Sequence, residues 1–109
     1  MPRRRRCRLV SRMPPTTVFK PAGVPARCLE EVVLTVDELE ALRLSDLEGL
    51  DQRDASERME VSQPTFNRTL NSARQKVATA LVNGWMIRIE GGSYVLGRKD
   101  HRDVDSEYV

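Results

Sequence analysis

The sequence predicts a mainly α-helical domain. Three helices form a helix-turn-helix unit, with an extended basic arm before it and a two-stranded β-hairpin after it. Three observations carry this prediction. Thr35, Asp51 and Ser62 are capping residues, each followed by apolar residues at helical spacing. Residues 1–28 contain Pro2, Pro14, Pro15, Pro21 and Pro25 and show little apolar periodicity. Gly91 and Gly92 separate two short alternating segments. A chain of 109 residues has room for one domain, divided here into a basic arm at 1–28, the domain proper at 29–96 and a polar tail at 97–109.

The arm should be extended or irregular, with Val18 and Phe19 anchoring it to the core. Thr35 and Glu38 have capping-box spacing, in which a hydroxyl and a carboxylate satisfy two orphan backbone donors. The helix they open should run to about Glu48 and stop at Gly49, a residue that accepts left-handed backbone. Its apolar set is Val36, Leu39, Leu42, Leu44 and Leu47. Arg43 lies near the middle of that stripe and needs a carboxylate such as Glu40, Asp46 or one on the next helix. Asp51 caps a short helix to about Met59, with Ala55 and Met59 inward and Leu50 closing its start. Ser62 caps the third, where Pro64 fits the first turn because its missing N–H is not needed there. Phe66, Leu70, Ala73, Val77 and Ala80 or Leu81 then step by four and three to an end near Asn83 and Gly84. Residues 85–90 and 93–96 read as the strands of the hairpin, with Trp85 and Tyr94 packing across it, stacking on bases or facing a dimer partner. An isolated hairpin must rest on the helices or on a second subunit.

Charge is segregated along the chain although the net is only +2. Residues 1–28 carry eight basic and no acidic side chains, and residues 29–61 carry three basic and eleven acidic ones. Residues 62–99 return to six basic against one acidic, and the tail is acidic. A basic arm and a basic second half would give one positive face, for which nucleic acid is the commonest partner, since each neutralised phosphate releases counterions. Apolar runs are too short for a membrane span or a secretory signal. Two cysteines cannot make a disulfide framework, so a soluble cytoplasmic protein is expected. Cys7 and Cys28 lack metal-ligand spacing, and Cys28 fits a small buried apolar position. His101 has no nucleophile or orienting group near it, and no glycine loop could cradle a phosphate. The carboxylates of Glu38 and Glu40 are explained by the cap and a solvated helix face. No enzyme, metal or cofactor is expected.

Function concentrates in residues 50–77. Small Ala55 lets two helices cross closely, and Val61 plugs the turn between them, as a helix-turn-helix requires. The second helix of such a unit enters the major groove. Gln63, Thr65, Asn67, Arg68 and Asn71 supply the amides, hydroxyl and guanidinium that base edges need. Ser62 can donate to a phosphate at the helix start, and Arg3, Arg4, Arg5 and Arg6 can neutralise phosphates or enter the minor groove.

The run LTVDELEALRLSDLEGLDQRDASERMEVSQPTFNRTLNSARQKV resembles region 4 of sigma factors and the related response-regulator output domains. The matching pieces are Leu34-Thr35, Glu38 with Glu40, Leu42-Arg43-Leu44, Glu48-Gly49-Leu50, Ala55, Val61-Ser62, Arg74 and Val77. Residues 1–95 resemble, more specifically, an uncharacterised family of small prokaryotic predicted DNA-binding proteins. That likeness rests on the Arg-rich start, FKPAGVP at 19–25, ALVNG at 80–84 and IEGGSY at 89–94. It implies sequence-specific binding of double-stranded DNA and transcription regulation. By the region 4 likeness, Gln63, Thr65, Asn67 and Arg68 fall on base- or phosphate-contacting positions. Pro64 falls on another but has no donor, and Glu60 stands where glycine is common, at about 1–2 kcal/mol for a left-handed turn. A homodimer would place two half-sites one helical turn apart. The competing reading is a protein-interaction module, an adaptor docking on RNA polymerase through the acidic middle.

Overall fold

The computed structural model describes residues 7–97. Arg3, Arg4, Arg5, Arg6 and the tail from residue 98 lie outside the described residues. In chain order come β1 (Arg8–Val10), β2 (Val18–Phe19), a 3-10 turn (Ala26–Cys28), β3 (Glu31–Leu34), α1 (Val36–Leu42) leading into a π-helical turn (Arg43–Leu47) and α2 (Gln52–Met59). α3 (Gln63–Asn83), β4 (Met86–Ile89) and β5 (Tyr94–Leu96) complete the set. Three helices are present as expected. The short strands make the architecture mixed rather than simply mainly α.

Local chemistry sets the helix ends. The Thr35 hydroxyl accepts from the Glu38 amide, and the Glu38 carboxylate accepts from the Thr35 amide, which closes the capping box. Asp51 and Ser62 accept from the amides of Asp54 and Thr65. Gly49 and Gly84 take φ of +77° and +71°, where a glycine avoids the Cβ clash. After α1 the backbone widens to i→i+5 pairing, with the Glu48 amide donating to the Arg43 carbonyl at 2.8 Å. The wider turn advances each residue through a smaller angle. Leu44 stays buried while Leu47, expected inside, swings out to 75% exposure.

The hairpin is not formed. β4 is the centre of a three-stranded sheet, antiparallel to β2 and parallel to β3, so both of its edges are occupied. Gly91 and Gly92, at φ +75° and +104°, instead carry the chain across the start of α1, where the Val36 amide donates to the Gly91 carbonyl. β5 then pairs in parallel with β1. Trp85 precedes β4, and its amide donates to the Ala80 carbonyl at the end of α3, so it forms no cross-strand pair with Tyr94. The arm's anchor is Val10, which is fully buried. Val18 and Phe19 pair through their backbones and leave their side chains exposed. Cys7 and Cys28 are both exposed, contrary to the buried position expected for Cys28.

Two apolar clusters lie along α3. Its first half packs through Phe66 and Leu70 on Ala41, Leu44, Ala55 and Met59, with Leu42, Leu50 and Val61 at the margin. Its second half packs through Ala73 and Val77 on Val10, Leu34, Val36 and Ile89. Leu42 touches both clusters. Leu81, one of two candidates for the last inward step, is exposed, and Ala80 takes that place. Glu38 and Glu40, expected at a cap and on a solvated helix face, turn inward, and Asp37 is buried with them. Each has a cation beside it, in Lys76, Arg43 and Arg8 respectively.

Candidate nucleic-acid interface

The connection between α2 and α3 is three residues long. α2 ends with Glu60 in left-handed backbone, φ 58° and ψ 44°, and the Val61 amide donates back to the Ser56 carbonyl at 3.1 Å. Left-handed backbone at a glutamate carries the strain that the sequence implied, and closing this loop offsets it. Val61 then packs on the first apolar cluster, and Ser62 caps α3. Ala55 is fully buried between the helices. Close packing at a methyl side chain fixes how the start of α3 lies against α2.

With Phe66, Leu70 and Ala73 inward, helical geometry turns the opposite face to solvent. Ser62, Gln63, Arg68 and Asn71 are exposed, and Thr65 and Asn67 are half-buried. The six predicted residues of α3 and its cap thus form one continuous strip, unobstructed by Trp85 or by β4 and β5. The side chains of Gln63 and Asn71 make no hydrogen bond among the described residues, so their donors and acceptors remain open to a partner. Ser62 donates to Thr65 at 3.0 Å, and an Arg68 N–H donates to the same hydroxyl at 3.2 Å. This chain of polar atoms holds the first turn in order while leaving the rest of the guanidinium outward. Arg3, Arg4, Arg5 and Arg6 fall outside the described residues.

Electrostatics depart from what block charges suggest. Arg74 donates to Asp46, Lys76 to Glu38 and Arg88 to Glu31, at 2.7, 2.8 and 3.0 Å. The described part of the basic second half is therefore largely neutralised by the acidic middle. A hydrogen bond from Arg74 holds the Asp46 carboxyl below its ordinary range. Among the described residues, Arg68 makes no ion pair, nor do the exposed Arg53 and Arg58 of α2. These two cations were missed in the sequence because they sit among Asp54, Glu57 and Glu60. Gln52 was missed as well: at the first position of α2 its Oε1 accepts from Asn67 Nδ2 at 3.0 Å. Its N-terminal place on a capped helix was the available signal, and the crossing that brings it to Asn67 was not. Among the described residues no group of His, Cys, Asp and Glu is placed to hold a metal ion, and no helix is long and apolar enough to cross a membrane.

Fold and site together define a small three-helix domain with accessory strands, whose longest helix turns a polar strip outward. The chain belongs to the family described as protein of unknown function DUF134, whose model matches residues 1–97. It is 60% identical over 102 residues to a UPF0251 protein of Thermoanaerobacter pseudethanolicus, covering 94% of this chain and 86% of that protein. A UPF0251 protein of Moorella thermoacetica is 65% identical over 96 residues, covering 88% of this chain and 64% of its own length. No solved structure matches.

Proposed function

We propose that this chain binds duplex DNA through a helix-turn-helix formed by α2 and α3, and acts as a transcription regulator. The reading is carried by one observation: the strip of Gln63, Thr65, Asn67, Arg68 and Asn71 faces solvent on a helix whose other side is packed. α3 would lie in the major groove, with these side chains on base edges and Ser62 at a phosphate. α2 would cross the backbone, where Arg53 and Arg58 meet phosphates. Arg3, Arg4, Arg5 and Arg6 would add contacts to phosphates or in the minor groove. A homodimer would read two such sites one turn apart.

A titration of duplex DNA against salt tests this. Binding should weaken with a log–log slope near −0.9 per phosphate contacted. Arg68→Ala should relax sequence preference, and removal of Arg3, Arg4, Arg5 and Arg6 should weaken all sequences alike. Absence of duplex binding at low salt would overturn the reading. One observation favours the second reading, an adaptor for RNA polymerase or another regulator. Leu47 projects at 75% exposure between the exposed acids Asp46 and Glu48. Capture of RNA polymerase that is lost in Leu47→Asp, without duplex binding, would support it.

A further inference from the structure

We propose that Gln52 orients the Asn67 amide, so that the two side chains act as one reader of an adenine in the major groove. This inference rests on the duplex-DNA reading above and adds to it the base recognised and a residue that governs recognition. Asn67 is half-buried near the start of α3, and its Nδ2 donates to Oε1 of Gln52, the first residue of α2, at 3.0 Å.

A primary amide carries two N–H donors and one carbonyl acceptor. Its two ends have nearly the same shape, so a solvent-exposed asparagine can turn over and exchange donor for acceptor. Here a flip of Asn67 alone would set its carbonyl against the Gln52 carbonyl, two acceptors with no proton between them, so Asn67 can turn over only if Gln52 turns with it. The bond to Gln52 occupies one Nδ2 hydrogen. With Gln52 on the hydrogen that points away from Oδ1, the other hydrogen and Oδ1 lie side by side as a donor–acceptor edge. Adenine presents the complement in the major groove, N7 as acceptor and N6–H as donor. Guanine presents two acceptors, N7 and O6, and would place O6 against Oδ1. Cytosine and thymine each offer only half of the pattern. Ala55 packs with Phe66 and Leu70 where α2 meets α3, and among the described residues the side-chain amides of Gln52 and Asn67 bond only to each other. Gln52 is a positioning residue here, because it acts on the base through Asn67.

The full chain, carrying each variant in turn, selects from a randomised duplex library. Its affinity is then measured for the selected duplex and for single base-pair replacements of it. The native protein should show one A·T pair whose replacement by G·C weakens binding roughly five- to hundredfold. Asn67→Ala should flatten that position. Gln52→Ala should reduce the preference at the same position and spare the others, with no further loss when added to Asn67→Ala. Gln52→Glu can only accept a hydrogen bond, so it should keep the adenine preference even where its charge lowers overall affinity. A Gln52→Ala profile identical to the native one overturns the proposal while leaving duplex binding intact. A uniform loss across all positions does the same, since Gln52 would then be a backbone contact. Equal flattening by Gln52→Glu and Gln52→Ala also overturns it. A native protein that selects no sequence overturns the DNA reading and this inference with it.

Discussion

On α1 the carboxylate of Glu40 is 4% exposed and accepts three hydrogen bonds, two from Arg43 and one from the Ser11 amide. On the first half of α3, Gln63, Arg68 and Asn71 stand in solvent, and the two amides have no internal partner among the described residues. Both helices carry rows of polar residues opposite apolar ones. The row on α1 is closed on itself: Glu38 binds Ser72 and Lys76 of α3, and Glu40 with Arg43 ties the helix to the segment after β1. The row on α3 is open at Gln63 and Asn71, and its internal bonds are those of Asn67 to Gln52 and of Ser62 and Arg68 to Thr65. A buried polar group must find a partner inside the protein, and an exposed one can keep its capacity for a ligand. Partnership and burial therefore separate the polar groups that hold this fold from those that can recognise something.

The comparison breaks most violently from beneath the strip. Phe66 is 1% exposed and supports the outward face of α3 from the first apolar cluster. Phe66→Ala should lower stability by about 3–5 kcal/mol in urea titration, because a large cavity is left in a packed site. A loss under about 1 kcal/mol would mean that α3 does not depend on this cluster for its place.

The closed row is tested by Glu40→Ala. It strands the Ser11 amide and removes the nearest acceptor of Arg43, whose pKa is raised chiefly by its hydrogen bond to Glu40. A loss of about 1.5–3 kcal/mol is expected for a hydrogen-bonded charge of this kind. Replacing both partners, in Glu40→Met with Arg43→Met, should recover much of it, since apolar pairs often match buried ion pairs in stability. Failure of the double variant to recover would show that the bonds to Ser11 and Glu48 matter more than the pair.

Acid should reach the same row. Burial alone would raise the Glu38 carboxyl, but hydrogen bonds from Lys76, Ser72 and the Thr35 amide, with the charge of Lys76, hold it below the ordinary glutamate value. The folded state thus binds this proton less readily than the unfolded chain. Its contribution is complete above the unfolded pKa of about 4.3 and is lost as pH falls through the lower folded value. Urea midpoints of the native protein should drop across that window. In Glu38→Gln the drop should be shallower, and an unchanged acid limb would remove Glu38 from the account.

Local chemistry was legible in the sequence wherever the cause was local. The caps at Thr35, Asp51 and Ser62 and the left-handed positions at Gly49, Glu60 and Gly84 depend on a few adjacent residues. So does the outward strip of α3, which follows from the spacing of Phe66, Leu70 and Ala73. Strand pairing was not legible. Whether β4 meets β5 or lies between β2 and β3 is decided by segments more than fifty residues away in sequence. Leu47 was misplaced because apolar spacing assumes α geometry, and the π-helical turn changes the angle per residue. Glu38 looked capped and solvated because its partners Ser72 and Lys76 had to be brought to it by the fold, whereas the pair of Arg43 with Glu40, three residues apart, was legible. Gln52 escaped notice for the same reason: its meaning arises only where α2 crosses α3.

The smallest effect on stability is expected in the open row, and it separates the two rows most cleanly. Arg68→Ala and Asn71→Ala remove side chains from exposed positions of a 21-residue helix. Alanine is the better helix former, so Asn71→Ala should be neutral or slightly stabilising, and both should stay within about 0.5 kcal/mol of native. Any larger loss in urea titration would mean that the strip helps to hold the fold, as Glu38 and Glu40 do. If stability is kept while selection among duplexes is degraded, these side chains face outward because a partner uses them. If stability and selection are both unchanged, this stretch of α3 is a solvated surface, and recognition has to be sought elsewhere on the molecule.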